Sequence, residues 1–328
     1  MTHFYDARGN IYGVINPALL RRQGINIPDS AAEAANSRQA WAASAIAAEC
    51  GWGSLPRPAD AKAHRCDGLL VGPFQAEAPF DVLIVNTDGS LAERSGNGLT
   101  IFAQALTDQG LLSQGCELRV HHDKADAQSP VITRVEPAVY EHVTGFWLAL
   151  GLPEFGPQAV GARGVDSVKT ANREFSQVAS LTALEPQWSC SQFVRVGNPH
   201  CVTLVQDAAL LPDNARMHQP ALFEPLKAIA FAPPAGGGVP CVAGVNLQWA
   251  ARGQGNQVLA RVFERGEGPT ASSGTSASAV ACAAWRAGWV AGGEVAVVMP
   301  GGMAPVRLLT QGDTLLSVSL FGTARPQT

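Results

Sequence analysis

The seven cysteines of this 328-residue chain never stand as a Cys-x-x-Cys pair. They are odd in number and scattered from Cys50 to Cys282, so neither a disulfide framework nor a zinc cluster is indicated, and reduced, mostly buried thiols are expected. Lysine and arginine form no cluster interleaved with aromatics, and a net charge of -4 provides no basic field, which removes nucleic acid as a partner. No phosphate loop of the Gly-x-x-x-x-Gly-Lys type occurs; with ligand clusters absent too, no metal, nucleotide or pyridoxal phosphate is implied. Met1 to Asn10 lacks the apolar core of a signal peptide. The one long apolar region, Ala277 to Met299, is interrupted by Arg286, Gly288, Gly292, Gly293 and Glu294, which argues against a membrane span. A cytoplasmic protein without membrane contact is expected.

What is present is enough apolar residue, 46%, for a sizeable core, in a length that allows one large or two ordinary domains. The stretch richest in chemistry runs from Glu264 to Ser276, a polar, glycine-punctuated turn opening into the small and apolar residues Ala277 to Ala287. It predicts a helix whose N-terminus presents the N–H groups of Ser273, Gly274 and Thr275, an arrangement that attracts carboxylate or phosphate. A second copy lies upstream, Asn86 to Gly98 before the apolar stretch Leu99 to Leu112, and in both copies a serine stands nine residues after the start. Two strand–turn–helix units carrying Ser95-Gly96-Asn97-Gly98 and Ser273-Gly274-Thr275-Ser276 suggest two similar domains facing one cleft, with an anionic group between two helix dipoles. A glycine-rich turn by itself merely links a strand to a helix.

In chain order, Ile11 to Ile15 reads as a strand with Asn10 at its mouth, Asp29 to Gly51 as a helix, and 53–61 as loop. Asp67 to Val71, Phe80 to Val85, Glu117 to His122, Pro130 to Val135 and Gly145 to Gly151 read as strands. Phe193 to Val196 delivers a turn, Gly197-Asn198-Pro199-His200, before a strand Cys201 to Val205. His200 is either a general base, since histidine titrates near neutrality, or a turn residue. Leu210 to Ala230 is helical and broken by Pro212, Pro220 and Pro225; Pro233 to Pro240 is loop. Val242 to Ala250 is a strand with Asn246 in its middle, an amide either satisfied by backbone or turned toward a ligand. Val258 to Phe263 enters the second turn, and Glu294 to Met299, Pro305 to Leu309 and Leu315 to Leu320 close the chain as strands.

In this order Gly9-Asn10 with Tyr12, Asp67-Gly68-Leu69-Leu70, Asn86-x-Asp88-Gly89-Ser90, Gly96-Asn97-Gly98, Gly197-Asn198-Pro199-His200, Val245-Asn246, Glu264-Arg265-Gly266-x-Gly268-x-Thr270 and Gly274-Thr275 resemble the diaminopimelate epimerases over nearly the whole chain. The resemblance implies an α/β fold of two pseudo-symmetric domains, 1–125 and 126–328, each a curved sheet or barrel around a central helix, with the last strand free to pair back onto the first domain. It implies an isomerase of amino-acid metabolism, on the way to lysine, that uses no cofactor. A cysteine precedes the glycine of each turn in that family, the two working as base and acid on opposite faces of the substrate α-carbon. Here Ser95 and Ser273 hold those places, Ser276 replaces a glycine, and Thr100 stands where arginine is common. Asn86, Asn198, Asn246 and Arg265 match positions that hold the far carboxylate and amine, and Asn10, Gly96, Asn97, Gly274 and Thr275 those around the reacting centre. An arginine fork grips a carboxylate bidentately, so a small dicarboxylate or amino dicarboxylate is the expected partner, with a homodimer left open.

The loss of both thiols matters for rate. A thiol has a pKa of about 8.5 and a helix N-terminus lowers it, whereas an alcohol lies nearer water, about 15.7. A gap of about five units costs about 7 kcal/mol, or about five powers of ten in a thiol-type epimerisation. Three readings follow: Ser95 and Ser273 relay protons for stronger acids and bases, His200 and Glu264 being the candidates; or they hold substrate while the protein performs an easier shift, allylic isomerisation or tautomerisation of an unsaturated dicarboxylic acid; or the protein binds a ligand without turning it over. The first, proton movement at or next to the α-carbon of an amino acid or amino dicarboxylate such as diaminopimelate, is the principal expectation.

Overall fold

The computed structural model describes residues 1–53, 56–57, 62–124, 128–170 and 173–327. Contacts divide the chain into one unit of Met1–Ala149 with Gly322–Thr328 and a second of Leu150–Phe321. The first contains strands β1 (His3–Ala7), β2 (Asn10–Ile15), β3 (Gly68–Val71), β4 (Phe80–Asn86), β5 (Leu91–Ala92), β6 (Cys116–Val120), β7 (Val131–Tyr140) and most of β8 (Val143–Gly151). The second contains β9 (Glu154–Phe155), β10 (Asp166–Thr170), β11 (Arg173–Gln177), β12 (Ser191–Val196), β13 (Asn198–Leu204), β14 (Asn246–Arg252), β15 (Gln257–Glu264), β16 (Gly268–Thr270), β17 (Gly293–Met299), β18 (Gly302–Gln311) and β19 (Thr314–Gly322). The closing strand β20 (Arg325–Pro326) pairs with β1.

The repeat seen in the turns extends to the topology. From β1 through β2, β3, β4, β6, β7 to β8, successive pairings run antiparallel, parallel, antiparallel, parallel, antiparallel, antiparallel. From β12 through β13, β14, β15, β17, β18 to β19 the same series recurs. The short strands β5 and β16 add to β4 and β15 in matching places. The expected domain border at 125/126 falls outside the described residues; the contact border is later, because β6, β7 and β8 form one antiparallel meander that belongs to the first unit.

Helices occupy matching places too. In the first unit α1 (Pro17–Arg22), α2 (Ala31–Asn36) and α3 (Ala42–Glu49) lie between β2 and β3, and α4 (Gly96–Asp108) between β5 and β6. In the second, α5 (Ala179–Leu184) precedes β12, α6 (Asn214–Met217) and α7 (Pro220–Ala230) lie between β13 and β14, and α8 (Gly274–Arg286) follows β16. Each sheet wraps its central helix: Leu99, Phe102 and Leu106 of α4 pack on Val82, Ile84 and Leu118, and Ala277, Val280, Cys282 and Ala284 of α8 on Val194, Val262, Val295 and Val306. The opposite faces are covered by α2 and α3, through Ala34, Ala45 and Ile46, and by α7, through Leu226 and Ile229. Alanine dominates α8 because the strands close tightly on it, while the larger residues of α4, fully buried at Phe102 and Leu106, each contribute about 1.5–3 kcal/mol of burial.

Several boundaries differ from expectation. The helix expected over 29–51 is three pieces: Ser30 caps α2, a short 3-10 turn follows at Arg38–Ala40, and α3 begins after Trp41. The break swings Trp41 into the core, where its Nε1 donates to the Ala34 carbonyl at 2.8 Å. Of the loop expected over 53–61, residues 54–55 and 58–61 lie outside the described residues. Pro220 opens α7 at its first turn, where no intrahelical N–H is required, and Pro225 is carried inside it, so neither breaks the helix there. Asn198, Pro199 and His200 belong to β13 rather than to a turn; the reversal is confined to Gly197, whose φ of +71° only glycine adopts readily. Asn246 heads β14 rather than sitting in its middle. Among the described residues no helix is long and apolar enough to cross a membrane.

Gly68 supports a first prediction. A Cβ there would lie 2.6 Å from the Val85 carbonyl oxygen and 2.8 Å from the Tyr12 ring, and the backbone atom cannot yield. Gly68→Ala is therefore expected to destabilise the chain by about 1–3 kcal/mol, read as a lowered urea midpoint at unchanged slope. An unchanged midpoint would show that β3 and β4 separate freely at that place.

Candidate active site

Strand register explains why the candidate residues of the second unit gather. Val194 of β12 lies opposite His200 of β13, His200 opposite Asn246 of β14, and Glu264 ends β15 one step past Leu247 paired with Phe263. Residues two positions away along the strands, Val202 and Val262, pack against α8, so His200, Asn246 and Glu264 share the α8 face of the sheet. The first turn of α8 completes the group. Ser273 is its N-cap residue, with φ of −151°, yet its hydroxyl makes no cap hydrogen bond; it donates instead to Glu264 Oε1 at 2.7 Å. The N–H groups of Gly274, Thr275 and Ser276 open the helix without intrahelical acceptors.

Burial raises the Glu264 pKa above the ordinary carboxylate value, and the negative charge of Glu267 adds to this, while the Ser273 and Thr270 hydroxyls pull it down. The result is a partly desolvated carboxyl, hydrogen-bonded to a hydroxyl at a helix N-terminus. Asn246 is buried, and its Oδ1 accepts from the Arg265 backbone N–H at 2.9 Å, fixing the turn that carries Arg265. The Arg265 guanidinium donates to the Ala243 carbonyl at 2.9 Å. Asn198 is exposed at the start of β13.

His200 corrects an expectation. It is fully buried, and desolvation, followed by the charge of Arg265, lowers its pKa to about 3. The ring is therefore neutral throughout the ordinary pH range and does not titrate near neutrality. Burial thus moves the two groups in opposite directions, the His200 ring to lower and the Glu264 carboxyl to higher proton affinity.

The matching turn of the first unit is chemically different. Ser95 is the N-cap of α4, but its hydroxyl accepts from the Gly98 N–H at 3.0 Å and closes the helix end in the ordinary way. Its nine-residue counterpart is Asn86, not a carboxylate, and Asn86 Nδ2 donates to Ser90 Oγ at 2.9 Å. Asn97 Nδ2 donates to Asn10 Oδ1, so Asn10 reaches the α4 N-terminus, where Gly96 and Asn97 offer their N–H groups. Thr100 and Ser278, equivalent in the two helices, both donate back to the glycine carbonyl four residues before, at 2.9 and 3.0 Å.

The chain is 30% identical over 238 residues to "Diaminopimelate epimerase 2" of Nostoc sp., a match covering 72% of this chain and 72% of that protein. It belongs to the diaminopimelate epimerase family. The model of that family, described as Diaminopimelate epimerase, matches residues 192–325. Among solved structures, the phenazine biosynthesis protein of the PhzF family from Bacillus anthracis aligns with a TM-score of 0.55 at 15% identity, over 100% of this chain and 96% of that one. The methylitaconate-delta-isomerase structure aligns with a TM-score of 0.58 at 12% identity, over 100% and 93%. These two share the fold.

Within this epimerase-family chain the structure brings together His200, Asn246, Glu264, Ser273, Gly274 and Thr275 in the second unit, and Asn10, Ser95, Gly96 and Asn97 in the first. Sequence reasoning missed Gln248, which is fully buried with its Nε2 donating to Ser276 Oγ at 3.0 Å. The available signal was the period of two: Gln248 follows Asn246 by two residues on one strand and so shares its face.

Proposed function

We propose that the chain is a cofactor-independent isomerase in which Glu264, through the Ser273 hydroxyl, removes a proton at or next to the α-carbon of a carboxylate substrate. The observation that carries this is the 2.7 Å hydrogen bond from Ser273 to a carboxyl whose pKa burial has raised. A carboxylate poised above its usual range is a stronger base than an exposed one, and a proton taken through the hydroxyl avoids a free alkoxide. The helix N-terminus of α8 favours the negative charge that develops on the substrate. In the second unit Arg265 and the amides of Asn198 and Asn246 are the groups suited to the carboxylates and amine of a small amino dicarboxylate. Diaminopimelate fits that description and would place the activity in the cytoplasm, in lysine biosynthesis.

A second reading rests on base strength. A carboxyl is a weaker base than a thiolate, so an allylic proton of an unsaturated dicarboxylic acid, more acidic than an amino-acid α-proton, is the alternative substrate class. Proton NMR in deuterated water with LL- and meso-diaminopimelate, other amino dicarboxylates and unsaturated dicarboxylic acids separates the two. Protein-dependent loss of an α-proton signal is the expected result; loss confined to an allylic position selects the second reading. No loss across the panel, with ligand-induced line broadening, points to a binding protein and overturns both.

A further inference from the structure

A cavity lies at the other end of α8 from the groups described above. Two short strands pair with the same edge of β12 and leave it open between them: β11 meets it at Ser176 opposite Ser191, and β9 at Val194 and Arg195. Gln192 and Phe193 fall in the gap, over which the cavity opens with a volume of about 200 Å³. Its lining includes Gln192, Arg286, Asp166, Glu174, Val165 and Phe175, all of the second unit. Arg286 ends α8, and at about 1.5 Å per residue the helix carries it about 18 Å from Gly274, so the cavity is separate from the group around Ser273.

Gln192 is only 6% exposed and, two residues before Val194, shares the face of β12 that packs against α8. Its amide oxygen is buried without a hydrogen-bond partner, and among the described residues nothing bonds the amide nitrogen. Buried amides are nearly always met, so this one points to a partner from outside the chain. An amide has an acceptor at one end and two donors at the other, the complement of a molecule that carries an ammonium and a carboxylate together.

The charged groups of the lining divide in the same way. Among the described residues the Arg286 guanidinium makes no hydrogen bond or ion pair; it lies over the Phe155 ring, 4.8 Å from the centroid, and feels the charge of Glu174 without pairing with it. Asp166 and Glu174 supply two carboxylates, and Ser167 donates to only one oxygen of Glu174. Val165 and Phe175 add an apolar wall.

We propose that this cavity binds a free α-amino acid, with its carboxylate on Arg286 and the Gln192 nitrogen, its ammonium on the Gln192 oxygen and the carboxylates of Asp166 and Glu174, and its side chain against Val165 and Phe175. The site is independent of the isomerase reading, because none of these residues belongs to the group at the α8 N-terminus.

Isothermal titration of the full chain with glycine, alanine, valine, glutamate and lysine is expected to give saturable binding by at least one of the five. N-acetylation or methyl esterification of that amino acid removes one charge, and each should weaken binding at least about tenfold, the scale of one charge-assisted hydrogen bond. Arg286→Met and Gln192→Leu should each weaken it to the same extent. Gln192→Leu also removes an unmet buried amide, so its thermal midpoint without ligand should equal or exceed that of the parent, which separates lost recognition from lost folding. Glu264→Gln, at the opposite end of α8, should bind the amino acid unchanged. Undiminished binding in Arg286→Met and Gln192→Leu, or loss in Glu264→Gln, places the amino acid elsewhere and overturns the proposal. Acetate binding as tightly as the amino acid reduces the cavity to an anion site and overturns it too, as does the absence of saturable binding by all five.

Discussion

Glu264→Gln is expected to lower proton exchange by about 10²–10⁴-fold, the contribution of a positioned general base. Glutamine preserves size and still accepts from the Ser273 hydroxyl, so the loss isolates basicity from packing. In the unmodified protein exchange should rise with pH as Glu264 loses its proton, with a midpoint above the ordinary carboxylate value, since burial raises this pKa. Stability should move in the opposite direction. A group whose folded pKa is raised contributes stability that is fully present below its unfolded pKa and is lost as pH rises through the folded pKa. At neutral pH the ionised Glu264 thus works against the fold, and Glu264→Gln should be at least as stable as the parent there, read from thermal midpoints at neutral and acid pH. Undiminished exchange in this variant would remove Glu264 from the mechanism.

Restoring thiols is the second large change. In Ser95→Cys combined with Ser273→Cys, the energetic gap between alkoxide and thiolate, about 7 kcal/mol at about 1.36 per unit, sets an upper bound of about five powers of ten on the gain in α-proton exchange with diaminopimelate. The realised gain should be smaller, because Ser273 does not need to form an alkoxide while Glu264 takes its proton. In addition, the charge of Glu264 beside the new thiol in the α8 turn opposes the thiolate that the helix N-terminus favours. A gain of about tenfold or more, abolished by iodoacetamide, is the expected outcome. Five of the seven native cysteines are buried and Cys116 and Cys190 only partly exposed, so the unmodified protein serves as the alkylation control. No gain with any amino dicarboxylate would mean that the binding residues do not place an α-carbon at the α8 N-terminus, and would favour the allylic reading.

Much of this architecture was legible because it depends on short-range features. The duplicated Ser-Gly starts fall at the N-caps of α4 and α8, and the strands leading into them, β4 and β15, lie where alternation and apolar content put them. What was misread turned on distant neighbours. Asp29 to Gly51 has helical composition throughout, but filling the core with Trp41 required a break. Gly197-Asn198-Pro199-His200 has turn composition, but all save Gly197 are drawn into β13 by pairing with β12 and β14.

The sequence by itself determined the family, the two-fold repetition, the helix starts and the absence of thiols from both of them. The tertiary structure decided how each of the two serines is hydrogen-bonded. Ser95 and Ser273 occupy equivalent N-caps in equivalent turns, yet one accepts from its own helix and the other donates to a carboxyl nine residues before it. It also lowered the pKa of His200 to about 3, since that follows from complete burial and from the charge of Arg265, 65 residues away in sequence. Residue types and local spacing set the backbone hydrogen bonds of turns and caps, but proton affinity is set by desolvation and by charges that strand pairing assembles from distant parts of the chain.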